Sequence, residues 1–420
     1  MLHKGKVIKS NYCLGCSSSG LIRKVDLGIM EHTGRFIDPS KSNYLPRASL
    51  CLVSCSQCGL SQLSEIIDIN ELYGEGYGYE SHLNSYMKFH LQSKAKHLEK
   101  LYLKDSNNVV LDIASNDGTF LSGFSSTKNV LIGLDPAIDF LKDKYPEGAI
   151  KINTFFTAAS YFTSYSKKAN LVNTCSVLYD TDKPQEFISD ISRVLADGGY
   201  WHSEQSYLPS MVQNMSFDTI CHEHLLYLRL KDVNKWCQES DLNIISVEFN
   251  QINGGSFAFT AQKSKDIKDS QKSIDYLIKK EQTLDFDGQI LALNKFSVDI
   301  ESHLEKIRLY LDDLLNHGYK IYGLGASTKG NVFLQSINAN TSIIKQIGDI
   351  NEKKFGLLTP GTNIPIVSEI EVMSKATPKT VFIVLPWHFK DSITKKLKDQ
   401  YPNKQIKLLF LLPRIELVEL

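Results

Sequence analysis

The sequence predicts an α/β chain in three parts: a small N-terminal ribbon built on cysteines, then two Rossmann-like domains. Three observations predict it. Two CxxC knuckles, "CLGC" (13–16) and "CSQC" (55–58), stand near the start of the chain. "NVVLDIASNDGTFL" (108–121) and "NVLIGLDPA" (129–137) each read as a buried strand and a turn, the second ending in an acid. "KIYGLGASTKGNVFLQ" (320–335) repeats strand, glycine turn and helix start. The expected boundaries are 1–70, 71–255 and 256–420. A chain of 420 residues is too long for one ordinary core.

Lys plus Arg and Asp plus Glu number 47 each. That balance argues against a general nucleic-acid binder, which carries a basic surplus. No apolar run approaches the ~20 residues that span a bilayer. "MLHKGKVIKS" lacks the apolar stretch of a secretion signal. The expectation is a soluble, cytoplasmic protein, a monomer or weak homodimer, with neither nucleic acid nor membrane as partner.

In the ribbon, each knuckle places two thiolates on one face of a tight turn. Cys13, Cys16, Cys55 and Cys58 together make a tetrahedral sulfur site that suits zinc. A segment this short buries little apolar surface, so a metal substitutes for a core. Four cysteine ligands leave no open position, so the zinc is structural. Free thiols paired by coincidence are the alternative. Cys51, inside "LCLVSC", reads as packed. Next comes "ELYGEGYGYESHLNSYMKFH" (71–90), whose tyrosines 73, 77, 79 and 86 offer rings with polar tips, as ligand lining or as a packed linker.

The central domain's loop, Ala114-Ser115-Asn116-Asp117-Gly118, holds one glycine and an aspartate. NAD and FAD need a GxGxxG loop around pyrophosphate. An acidic loop repels pyrophosphate and suits a cationic sulfonium with its amino group. The reading is a class I methyltransferase domain that holds S-adenosylmethionine. Asp112, the loop 114–118, Asp135 and Pro136 are the expected cofactor residues, with Phe155 and Phe156 also placed there. Later strands follow at 169–179 and 199–207.

"FDTICHEHLLYL" (217–228) comes after a strand's C-terminal end, where open α/β sheets bind ligands. A metal is disfavoured, because His222 and His224 share a face only in a strand and no third ligand is near. A satisfied polar cluster is one reading. Acid–base chemistry is favoured, since histidine accepts a proton near neutrality and Glu223 can tune a ring.

Taken in order, the two CxxC knuckles, the Tyr-rich segment, "LDIASNDGTFL", "CHEH", "GLGASTKGN" and "TPGTNIPI" are a specific series. It resembles the sugar C-methyltransferases of deoxysugar biosynthesis, which methylate C3 of nucleotide-linked 4-keto-6-deoxysugars. The resemblance spans nearly the whole chain. It implies that His224 is the base removing the proton alpha to the ketone. It also implies that Glu223 and the early tyrosines, Tyr77 and Tyr79, line the sugar, with His222 beside them. Two positions depart from the family. Cys221 stands where a tyrosine is usual, leaving that role between Cys221 and Tyr227. Asp180, in "SVLYDTD", stands where a histidine is usual. Both departures bear on which sugar and which carbon, not on the reaction type. The catalytic candidates are His224, Glu223, Cys221, Tyr227 and Tyr79.

In the C-terminal domain only Gly323 and Gly325 sit in the turn, which disfavours NAD. Ser327, Thr328 and Lys329 at a helix start suit phosphate. By resemblance this domain holds the nucleotide diphosphate of the substrate, through Tyr322, Lys329, Asn331, Thr359 and Pro360. For the Pro360–Gly361 turn, simple chain reversal is the alternative. "NGGSF" (253–257) resembles a family loop near the sugar and reads equally well as a hairpin turn. His388, after the strand-like "VFIVLPWHF" (381–389), reads as near the nucleotide or, more commonly for an isolated histidine there, as a surface residue. The expected reaction is S-adenosylmethionine-dependent C-methylation. The rivals are O- or N-methylation, an NAD-dependent oxidoreductase, and a zinc-ribbon adaptor without enzyme activity.

Overall fold

Short strands and tight turns make the N-terminal part. The computed structural model describes residues 7–41, 45–72, 79–141, 143–264, 270–283 and 291–420. This part holds β1 (Val7–Lys9), β2 (Leu21–Glu31), β3 (Arg47–Cys55), β4 (Ser61–Leu63) and β5 (Glu65–Ile67). The strands β2, β3 and β4 form an antiparallel sheet, and β1 pairs with β5.

The central strands are β6 (Asn108–Ile113), β7 (Asn129–Leu134), β8 (Ile150–Ile152), β9 (Ala169–Cys175), β10 (Leu195–Ser206), β11 (Leu226–Tyr227), β12 (Leu242–Asn250) and β13 (Ser256–Lys263). Seven of them form one sheet in the order β12-β13-β10-β9-β6-β7-β8. Only β13 runs against its neighbours. This is the class I methyltransferase arrangement, with its switch point between β6 and β9. The near-continuous apolar character of β6 and β7 fits strands covered on both faces. The eighth strand, β11, leaves this sheet and pairs with β4 of the N-terminal one.

The expected boundary at 255/256 falls in the β12–β13 hairpin, and the central sheet runs on to Lys263.

Six strands make the C-terminal sheet: β14 (Lys320–Leu324), β15 (Ile344–Asp349), β16 (Ile366–Ser368), β17 (Thr380–Val384), β18 (Lys407–Phe410) and β19 (Glu416–Glu419). Their order is β16-β15-β14-β17-β18-β19, parallel except for β19. The helix Leu291–Asn316 leads in and buries Phe296, Ile300, Leu304, Ile307 and Leu311 on one face. One apolar core joins Leu52, Trp201, Phe296 and Ile347, so all three parts share it.

The chain just past β2 also reaches the C-terminal sheet. The Gln335 amide exchanges hydrogen bonds with the Glu31 backbone at 3.0 and 3.1 Å. Ile37 bridges to Leu358.

Candidate active site

The four expected cysteines converge. Their Sγ atoms lie within 4.8 Å of one another, with Cys13–Cys58 at 3.5 Å and Cys16–Cys55 at 3.6 Å. A tetrahedron with Zn–S bonds of about 2.3 Å has edges of about 3.8 Å. Backbone N–H groups of Gly15 and Gln57 point at Cys13 and Cys55 Sγ, each at 3.4 Å. The residues fit a four-sulfur metal centre, and Cys51 is a separate, buried residue of β3.

The expected cofactor loop is strained. Ala114 and Asn116 hold positive φ (56° and 51°), as does Gly118 (84°). Non-glycine residues take that conformation only where the surroundings impose it. Asp135 accepts from the Asn116 and Ala137 N–H groups at 2.9 and 2.7 Å. Asp112 accepts from Asn173 at 2.7 Å, and burial, with Asp135 and Asp117 nearby, pushes its carboxyl up to about 8. This buried concentration of acids is what a cation relieves, which fits a sulfonium and an amino group. Ser115 bonds the Tyr145 hydroxyl at 2.7 Å, and Asp117 meets His82 Nδ1 at 2.7 Å. Pro136 and Phe155 are half-buried, while the Phe156 ring packs edge-on against Phe187. Tyr79 sits at this loop, where its carbonyl accepts from Asn116 at 3.0 Å. Tyr77 lies outside the described residues.

The CHEH stretch forms a turn between the short helical turn Phe217–Thr219 and β11. Its two histidines have different fates. His222 Nδ1 accepts from the Thr33 N–H at 3.4 Å, and Nε2 donates to the Ala48 carbonyl at 3.3 Å. His222 is buried and committed to the N-terminal part, which corrects its expected place beside the substrate. His224 Nδ1 donates to the Thr219 carbonyl at 3.0 Å, which fixes the tautomer and leaves the Nε2 lone pair free. His224 is half-buried, its ring centroid 4.2 Å from that of Tyr179 and tilted 53° to it. Burial, and then the charge of Lys329, pulls it down to about 3.

Around it, Glu223 is buried and raised to about 7 by desolvation. Burial raises the Cys221 thiol, with Glu223 adding to it, so Cys221 is a neutral group. The Tyr227 hydroxyl is buried, and it has no hydrogen-bond partner among the described residues.

Lys329 follows β14 but is not at an open phosphate site. Its Nζ donates to the Asn253 carbonyl at 2.6 Å, and its charge reaches Asp218, Cys221 and His224. Asp218 accepts from Trp387 Nε1, beyond β17, at 2.8 Å. The "NGG" turn is thus both the β12–β13 hairpin and a wall of this cluster. His388 is half-buried, its Nδ1 has no hydrogen-bond partner among the described residues, and burial, then the charge of Lys329, hold its ring well below the usual range.

Four further residues expected at the substrate are packed within the protein. Tyr322 is a core residue of β14, its ring tilted against that of Phe382. Thr359 is fully buried, its hydroxyl bonded to Thr362 and to the Ile364 N–H at 2.6 and 2.9 Å. Pro360 is buried in the same turn, whose Gly361 N–H donates to Glu31 at 2.8 Å. Asn331 donates to the Thr33 carbonyl at 2.7 Å. The sequence reading missed Tyr179 and Asp218. Tyr179 sits one residue before Asp180, past the end of β9, and that position was the available signal.

Residues 83–247 match the family model of a methyltransferase domain, and residues 251–413 match that of a C-methyltransferase C-terminal domain. The C-methyltransferase NovU of Streptomyces niveus is 24% identical over 356 residues, covering 84% of each chain. Among solved structures, the N-methyltransferase NodS of Bradyrhizobium japonicum WM9 aligns over 41% of this chain and 96% of its own, at 13% identity and TM-score 0.33. A magnesium protoporphyrin IX methyltransferase from Synechocystis PCC 6803 aligns over 42% and 83%, at 13% identity and TM-score 0.33. With its seven-stranded sheet, its acidic strained loop, a methyltransferase domain and a C-methyltransferase C-terminal domain in succession, the chain is an S-adenosylmethionine-dependent methyltransferase similar to C-methyltransferases.

Proposed function

We propose that the enzyme methylates a carbon alpha to the ketone of a nucleoside-diphosphate-linked keto-deoxysugar, C3 of a 4-keto-6-deoxyhexose. One observation carries this reading. The carboxyl ends of β9, β14 and β17 converge on a histidine whose tautomer leaves Nε2 free as a base, beside a lysine. Bound S-adenosylmethionine supplies an electrophilic methyl group. Carbon becomes a nucleophile only once its proton is removed and the enolate oxygen is stabilised.

His224 Nε2 takes the α-proton. The Lys329 ammonium, beside His224, faces the charge that develops on the enolate oxygen. In the free enzyme the same ammonium weakens His224 as a base. The weakening is offset as enolate charge appears next to both cations. The acidic loop 112–118, with Asp135, Pro136, Phe155 and Phe156, holds the donor. Tyr79, Tyr179 and Tyr227 offer rings and hydroxyls to the sugar. The four cysteines hold a structural zinc ion, fixing the N-terminal part.

Deuterium exchange tests the reading. A thymidine-diphosphate 4-keto-6-deoxyhexose in D2O should take up deuterium at the α-carbon with the wild type and not with His224→Ala. Methyl transfer without any exchange would move the chemistry from carbon to oxygen or nitrogen.

A further inference from the structure

The site above draws on the central and C-terminal parts, yet the loop 32–34 of the cysteine-bound part lies against Glu223. Thr33 Oγ1 donates to Glu223 Oε2 at 3.5 Å, and His32 Nε2 lies 4.0 Å from Oε1. A Cβ at Gly34 would fall 1.8 Å from Glu223 Oε1, so an alanine there displaces that carboxyl. The loop is clamped on its other side by Asn331, on the helix Thr328–Ser336 that carries Lys329.

His32 is fully buried, and neither ring nitrogen has a hydrogen-bond partner among the described residues. Leaving such a group unsatisfied costs about 1–3 kcal/mol. A side chain kept only for packing would not carry that cost, because leucine fills similar space. An imidazole facing a buried carboxyl is explained by that carboxyl.

We infer that His32, Thr33 and Gly34 are positioning residues of the catalytic site, which fix the Glu223 carboxyl in one place beside the base. The groups facing Glu223 are His32 and Thr33 from this loop, Cys221 and His222 on its own turn, Tyr227 of β11, and Thr328 of the C-terminal helix. Arg35 lies beyond His32. Burial holds the His32 ring down to about 3, so His32 places no cation beside Glu223 at neutral pH, and the carboxyl keeps its proton up to about 7. In that form Glu223 can donate a hydrogen bond to the substrate. This role rests on the reaction proposed above.

The test compares His32→Gln, His32→Leu and Gly34→Ala in the full-length, metal-loaded enzyme. Methyl transfer to a thymidine-diphosphate 4-keto-6-deoxyhexose is measured, together with metal content and donor binding. His32→Leu and Gly34→Ala should lose about 10–100-fold in kcat with the donor KM little changed, the range seen when an orienting partner is lost. His32→Gln should recover most of that loss. Equal rates for His32→Gln and His32→Leu, or a wild-type kcat in Gly34→Ala, would overturn the inference. If the His32 variants fail to hold metal and donor, Gly34→Ala decides alone. If the wild type is inert toward this substrate, the proposed reaction fails instead. The δ-¹³C resonance of Glu223, assigned by its absence from Glu223→Gln, then decides. Gly34→Ala should move its titration midpoint toward the ordinary carboxyl range, and an unmoved midpoint overturns the inference.

Discussion

His222 and His224 are two residues apart and of one type, yet their hydrogen bonds give them opposite tautomers. His224 presents a free Nε2, whereas both nitrogens of His222 are spent on the N-terminal part. The expected outcome for His224→Ala is a kcat loss of roughly 10²–10⁴-fold, with calorimetric affinity for S-adenosylmethionine retained. His222 makes a separate, pH-dependent prediction. Its folded ring is held down to about 4 against an ordinary 6.5. Below the ordinary value the unfolded chain binds a proton that the folded chain refuses. The stabilising effect is therefore complete above 6.5 and fades as pH falls toward 4. Glutamine at position 222 cannot titrate. The melting-temperature gap between wild type and His222→Gln should be widest near pH 7 and narrow on acidification. A gap that does not change with pH would mean that the His222 ring titrates alike in the folded and unfolded chains.

At the scale of elements, the helix Ser85–Tyr102 shows how packing holds the donor loop. Asn84 caps it by accepting from the Tyr86 and Met87 N–H groups, and Met87, Leu91, Ala95 and Leu98 face inward. Gly123, just past the loop, lets the helix approach. A Cβ there would meet Ala95 Cβ at 2.6 Å and the Gln92 carbonyl at 2.7 Å. Both contacts are with parts that cannot swing away, so Gly123→Ala should destabilise by about 1–3 kcal/mol in denaturant titrations. Weaker donor binding should accompany it. A neutral result would show that the helix shifts freely and does not hold the loop.

Across the whole molecule the three parts are interlocked. Strand β11 crosses to the N-terminal sheet, and loop 32–38 crosses to the C-terminal domain. Arg229, fully buried, clasps Asp232 and donates to the Cys58 carbonyl at 3.1 Å, tying the second knuckle to the central domain. Metal loss should therefore be felt in the active site. Chelation is expected to lower the melting temperature and abolish methyl transfer together, with re-addition of zinc restoring both. Full activity in protein shown by elemental analysis to be metal-free would refute a structural zinc ion.

The sequence by itself determined the local chemistry. The two CxxC knuckles, the acidic loop 114–118, the paired strand–turn signals and the density of CHEH each follow from short-range spacing, and each lies where that spacing implied. Only the tertiary structure decided which polar groups stay free. Thr359 and Tyr322 read as ligand residues, but one hydroxyl is consumed inside its turn and one ring inside the core. Lys329 read as a phosphate ligand, and its ammonium donates to the Asn253 carbonyl while its charge acts on His224. Tyr179 carried only its place beside Asp180 as a signal, and His32 and Gly34 carried none. The reason is that burial and partner choice depend on contacts between residues up to 330 positions apart, as between Gly361 and Glu31, and no local pattern encodes them.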